Sequence, residues 1–251
     1  MNQAADGFVV LTESGRATLF PNGTPSGQPM EIIPCCVDPR RFAAAGASDR
    51  ETVRAQLGVS GRAVFVYVGT IGGNYVVKEM VELLSVARQL DSRAFALVLT
   101  QTPPDTLVQA LKQSGFSDED YFVAHAALDE VPRFLLAADV GLCLIRSSYA
   151  GRSQSPTKFA EYLASGLPVM ATAGIGDLDR QIEQNRIGVI LRTFDCNAYR
   201  DALAAIEQLR RDVELAERCR RTAHIDYDLC SVGGLRYRRL YDAVIQRSAT
   251  A

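Results

Sequence analysis

Ser155-Pro156-Thr157-Lys158, followed by Glu161, places an anion-binding device and a carboxylate about one helical turn apart. Ser155 is a capping residue type, and Pro156 suits the first helical position. The amides of Thr157 and Lys158 would then lie in a first turn without intrahelical acceptors, where a partial positive charge favours phosphate. Lys158 adds a full charge there. Glu161 falls on the same side of the helix as Thr157. A carboxylate at that place can accept two hydroxyl hydrogen bonds from a vicinal diol such as ribose. This chemistry suits a ligand with phosphates at one end and a hydroxylated ring beside them. The plainer alternative is a well-capped helix bearing a solvated lysine and glutamate. Gly166-Leu167-Pro168-Val169 carries helix stop signals and leads into a buried strand.

A second glycine-containing turn is Gly69-Thr70-Ile71-Gly72-Gly73-Asn74-Tyr75. Gly72 and Gly73 would let backbone amides approach a ligand closely, or serve only a tight strand-to-helix turn. The spacing is not GxGxxG, so a dinucleotide fingerprint is absent. The polar stretch 146–156 is long for a connection between a strand and a helix, as functional loops often are. Within it Arg146, Tyr149 and Arg152 either contact a ligand or are surface side chains. His125 either approaches a base or is a structural histidine.

These residues need elements to hold them. Residues 8–11 and 30–33 read as short strands, with Thr12 capping a helix through Phe20 between them. Residues 35–47 read as a connector. Ser48-Asp49-Arg50-Glu51 has capping-box spacing for a helix to about Leu57. Apolar strand-like runs follow at 63–68, 95–100, 121–123, 140–145, 168–171 and 188–191. Helical segments at 76–90, 105–114, 128–137, 157–164 and 178–185 separate them. Short buried runs alternating with helices predict an α/β fold, a doubly wound parallel sheet that is Rossmann-like. Ligands of such sheets bind at the carboxyl ends of the strands, hence after Val68, Val123 and Ile145. The chain closes with helices at 197–210, 213–223 and 230–247.

Composition narrows the function classes. The chain has 251 residues, 47% hydrophobic and 22% charged, with a formal net charge of −2. Lysine and arginine do not cluster as nucleic-acid binding would require. No apolar run reaches the ~18 residues of a spanning helix, and no secretory signal opens the sequence. Scattered cysteines without a CxxC pair suit a reducing cytoplasm. The two histidines, His125 and His224, are too few for a zinc site.

Several ordered segments together resemble the donor-binding, C-terminal half of GT-B glycosyltransferases of family 4, the glycosyl transferases group 1. They are Ile33-Pro34-Cys35-Cys36-Val37-Asp38 with Arg41-Phe42, then Tyr67 through Tyr75. Ala137-Ala138-Asp139-Val140-Gly141-Leu142 and the block from Ser155 to Val169 complete the set. The resemblance implies transfer of a sugar from a nucleoside diphosphate, UDP- or GDP-linked, to a hydroxyl acceptor in glycan or glycolipid assembly. It implies Glu161 on the donor ribose, with Ser155, Thr157 and Lys158 on phosphate and Gly72 and Gly73 close to the donor. No metal or cofactor is needed if the helix end and the lysine stabilise the leaving diphosphate. The family carries an E-x7-E pair; Glu161 matches the second glutamate, and Ser153 stands at the place of the first. Thr70 and Tyr75 stand where the family often has an arginine and a lysine, so Lys158, with Arg152 or Lys78, would hold the pyrophosphate instead.

The resemblance also implies a domain plan. Residues 1–42 resemble the end of a first Rossmann-like domain and its linker, 43–225 the nucleotide-sugar-binding domain, and 226–251 a helix returning toward the first domain. About 150 residues, one typical domain, are expected ahead of it. A separate acceptor-domain polypeptide, or self-association through an exposed interdomain face, would supply the cover. Peripheral membrane association would come only through that first domain. The rival readings are a non-catalytic nucleotide-sugar binding module and a Rossmann domain with no ligand.

Overall fold

A computed structural model describes residues 5–43, 47–73 and 76–250. Among these, six strands form one parallel sheet in the order β5-β4-β3-β6-β7-β8. They are β3 (Ala63–Val68), β4 (Ala94–Leu99), β5 (Tyr121–Ala124), β6 (Val140–Cys143), β7 (Val169–Thr172) and β8 (Gly188–Leu191). The chain winds outward from β3 to β5, returns to β6, and winds outward again to β8. The strand order therefore reverses between β3 and β6, the place where open α/β sheets bind ligands.

Both faces are covered, which is why the strands read as apolar runs rather than alternating patterns. On β3, Val64 and Val66 join the core beneath α3 (Ala47–Gln56), α6 (Val131–Ala137), α7 (Thr157–Ala164) and α8 (Leu178–Asn185). Phe65 and Tyr67 point to the opposite core, beneath α4 (Val77–Leu90), α5 (Asp105–Gln113) and α9 (Cys196–Arg210). The doubly wound parallel sheet expected from the sequence is thus observed.

A two-stranded parallel pair, β1 (Phe8–Val10) with β2 (Met30–Ile32), brackets α1 (Glu13–Leu19). Thr12 caps α1 as expected, its hydroxyl accepting from the Gly15 amide at 2.9 Å. The connector contains a short helix, α2 (Arg40–Ala43), and residues 44–46 lie outside the described residues. Ser48 lies inside α3 rather than ahead of it, because the helix already includes Ala47. Between α10 (Leu215–Tyr227) and α11 (Leu235–Thr250) comes a wide turn, Leu229–Gly234, whereas the sequence reading ends one helix at Ala223 and starts the last at Cys230. Asp228 causes the break: its carboxylate accepts from the amides of Cys230 and Ser231 at 2.8 and 2.7 Å. α1 exposes Leu19, and α11 exposes Tyr237, Tyr241 and Ile245. Among the described residues no helix is long and apolar enough to cross a membrane.

The amino ends of the strands are held by charge. Asp139, 10% exposed, pairs with Arg50 at 2.8 Å, Arg210 at 3.0 Å and the buried Arg54 at 3.3 Å. Its carboxylate also accepts from the Val64 amide at 2.8 Å. One carboxylate thereby ties α3 and α9 to the start of β3. Asp139→Ala would leave the buried Arg54 without a carboxylate partner, and loss of one partner of a buried pair costs about 3–5 kcal/mol. Urea unfolding should show a loss of that order; a loss below about 1 kcal/mol would refute this account.

Candidate functional site

At the switch point the walls of a cleft of about 580 Å³ come from three places. Thr70, Ile71, Gly72 and Gly73 follow β3; Ile145 and Ser153 to Thr157 follow β6; Leu11 comes from the end of β1. The β3 loop is pinned from several sides. Gly69 N–H donates to Leu99 at 2.9 Å, the Tyr67 hydroxyl donates to the Thr70 carbonyl at 2.6 Å, and Ile71 N–H donates to Thr102 Oγ1 at 3.1 Å. Gly72 and Gly73 have φ of 94° and 63°, and an added Cβ would meet nothing at either. Backbone conformation, not crowding, calls for glycine there. Asn74 and Tyr75 lie outside the described residues.

The opposite wall is the first turn of α7, beginning at the predicted Thr157. Its cap differs from the expectation. Pro156 holds the cap position in an extended conformation, and no side chain caps the helix. The Ser155 hydroxyl instead accepts from the Cys35 amide at 3.0 Å, tying the linker to the site. Proline has no amide to be satisfied and its φ is preset, so the turn forms without the serine.

Gly72, Gly73, Ser155 and Thr157 therefore share one cleft. Lys158 and Glu161 follow Thr157 on α7 and are not among the residues lining this cleft. Lys158 is 7% exposed, and its Nζ sits 3.9 Å from the centroid of the Tyr67 ring. It passes beside Gly69, where an added Cβ would come within 2.9 Å of Nζ. Gly69 also has φ of 135°, and it is this conformation that calls for glycine. Burial lowers the Lys158 pKa from 10.5 to about 8. Glu161 is half-buried one turn deeper. Burial raises its pKa, against the pull of Arg41 and Lys158 toward the ionised form.

The remaining candidates separate from this cleft. Tyr149, 72% exposed, and Arg152, stacked over its ring at 5.9 Å, face a neighbouring cleft of about 770 Å³ against α1. Arg146 is exposed at the start of the loop, and His125 is exposed beyond the edge strand β5. Lys78 is exposed and pairs with Glu82 at 3.7 Å, away from the cleft. Among the described residues no cluster of His, Cys, Asp and Glu could hold a metal ion.

Sequence reasoning missed three contributors. Gly69 turns the chain at positive φ beside Lys158, a need hidden in a lone glycine after a strand. Asp177 caps α1 from across the molecule, accepting from the amides of Glu13 at 2.7 Å and Ser14 at 3.1 Å. Tyr162, wholly buried, reads as an ordinary core residue of α7. Nothing in the local pattern could have signalled the last two.

Comparisons with solved structures agree with this fold. WaaG, a glycosyltransferase involved in lipopolysaccharide biosynthesis, superposes with a TM-score of 0.71 at 23% identity, over 89% of this chain and 60% of WaaG. HepE from Anabaena, determined in complex with UDP-glucose, gives 0.77 at 16% identity, over 96% of this chain and 65% of HepE. The C-terminal domain of the group 1 family protein LpcC from Francisella tularensis gives 0.61 at 22% identity, over 77% of this chain and 99% of that domain. The chain thus spans less than two thirds of WaaG and of HepE. No curated protein sequence matches it significantly. The family model for glycosyl transferases group 1 matches residues 49–225, well over half the chain. The chain therefore belongs to the glycosyl transferases group 1 family, and its sheet is a GT-B Rossmann-like domain.

Proposed function

We propose that the cleft binds a nucleoside-diphosphate sugar and that this chain is the donor-binding half of a glycosyltransferase acting on a hydroxyl acceptor. One observation carries the reading. The first turn of α7 faces the Gly72-Gly73 loop, and the same helix carries a buried lysine next to Thr157 and a half-buried glutamate one turn on. The diphosphate lies against the amides at Thr157, with Ser155 beside it and Gly72 and Gly73 opposite. As the bond to the sugar breaks, negative charge grows on the leaving phosphate. The helix end and Lys158 stabilise that charge without reorganising, because burial has already fixed them. Glu161 takes the ribose hydroxyls. HepE is known with UDP-glucose, which makes UDP the first nucleotide to try, with GDP as the alternative.

The acceptor would be a hydroxyl of a growing glycan or glycolipid. The apolar side chains exposed on α1 and α11 form the surface proposed to meet an acceptor-domain polypeptide or a second copy. Ser153 at the place of the family's first glutamate favours a second reading, a module that binds the nucleotide sugar without turning it over. Calorimetry with UDP and GDP, followed by donor-hydrolysis and transfer assays, separates the two: turnover of the bound donor selects the transferase. Binding of neither nucleotide would overturn both.

Glu161→Ala should weaken nucleotide binding, since hydrogen bonds to a charged group contribute about 1.5–3 kcal/mol, roughly tenfold or more in Kd. Equal Kd values for the two proteins would remove Glu161 from the ribose.

Lys158 makes stability depend on pH. Its folded pKa of about 8 lies below the ordinary 10.5, so between those values the unfolded chain binds more protons. Stability should therefore rise with pH across that window, by roughly 3 kcal/mol in all. Lys158→Met should flatten the rise in urea midpoints measured from pH 7.5 to 10. Saturating nucleotide should also diminish it, because phosphate favours the ammonium form. A variant that tracks the parent across this range would show that Lys158 is not the titrating group.

A further inference from the structure

The two strands flanking the switch point separate before they end. The β3–β6 ladder pairs Phe65 with Val140 and Val66 with Gly141, yet β3 continues to Val68 and β6 to Cys143. The Tyr162 hydroxyl lies in the opening. It accepts from the Val68 amide at 2.9 Å and donates to the Leu142 carbonyl at 3.3 Å. A side chain from α7 thus makes the connection that a rung would make in an unbroken sheet. Gly141 permits this, because a Cβ there would fall within the Tyr162 ring. The backbone at Gly141 is not left-handed, so its glycine serves the ring alone.

The position of this bridge matters more than its burial. Val68 immediately precedes Gly69, which opens the loop forming one wall of the cleft. Tyr162 follows Glu161 and lies one turn from Lys158, on the helix whose first turn forms the other wall. One hydroxyl therefore joins the strand that leads into one wall to the helix that forms the other. We propose that Tyr162 is a positioning residue for the nucleotide-sugar site: its hydroxyl bridges the parted strands and so sets the gap between the glycine loop and the first turn of α7. The proposal rests on the donor-binding reading above. Burial also keeps the phenol protonated, so it remains able to donate.

The test compares the full chain with Tyr162→Phe, which keeps the ring and removes the hydroxyl. Calorimetry with UDP and with GDP reads the affinity, and thermal unfolding reads the stability. Ile206→Ala, in the opposite core, serves as a destabilised control. The parent should bind one nucleotide, Tyr162→Phe should bind it about tenfold more weakly or worse, and the control should keep the parent's Kd despite its lower stability. Unchanged affinity in Tyr162→Phe overturns the proposal while leaving the donor-binding reading intact. If the parent binds neither nucleotide, the donor-binding reading itself fails. Should Tyr162→Phe not fold, hydrogen exchange on the parent decides. Saturating nucleotide should slow exchange at the Val68 amide along with the amides of Gly72, Gly73 and Thr157. Protection of those three with Val68 unchanged overturns the proposal.

Discussion

The central strands part after Val66 and Gly141, and the Tyr162 hydroxyl of α7 bridges the opening. Lys158, Phe159, Ala160, Tyr162, Leu163 and Ala164 are all buried, while Thr157 is exposed. A helix enclosed on so many sides has little freedom to rotate or slide, because close-packed interiors resist both. Phe159 meets Tyr227 edge-on at 5.7 Å, which locks the side away from the sheet. The carboxyl edge of the sheet thus presents a helix end whose direction is set by packing. A ligand arriving there finds oriented amides rather than groups it must arrange.

Electrostatics follow from that enclosure. A lysine with 7% exposure is costly to charge, and its lowered pKa expresses the cost. The Tyr67 ring and the nearby Glu161 offset part of it. Glu161 feels the reciprocal effect, with Arg41 and Lys158 working against its burial. At the other end of the sheet the situation is reversed. Asp139 and its three arginines satisfy one another and fasten helices to strands. One end of the sheet spends its charges on stability, and the other keeps a lysine and a glutamate beside an open cleft.

The short N-terminal segment belongs to this arrangement. Thr12 donates to the Arg152 carbonyl at 2.7 Å, and the start of α1 is capped by Asp177 from the loop after β7. Arg236 on α11 donates to the Ile32 carbonyl at 2.6 Å, and Arg247 reaches the carbonyls of Gly27 and Ser26. The segment is therefore fastened to the sheet's carboxyl edge on one side and to the last helix on the other. Leu11 reaches the main cleft from this direction.

Much of the architecture was legible in the chain because it depends on local rules. The runs at Ala63–Val68 and Gly188–Leu191, and the helices Thr157–Ala164 and Leu178–Asn185, have the expected limits. Apolar period, glycine and proline mark such boundaries without help from distant residues. The strand-to-helix loops and the pairing of Thr157 with Glu161 along one helix face were legible for the same reason. Capping was less so: Ser155 turned from the helix to the Cys35 amide, a partner 120 positions away. Tertiary structure alone decided that Lys158 lies under Gly69, that Tyr162 bridges β3 and β6, and that Arg152 and His125 fall outside the main cleft. These outcomes depend on which strands become neighbours and where they part. That is a property of the assembled sheet, and no window along the chain contains it.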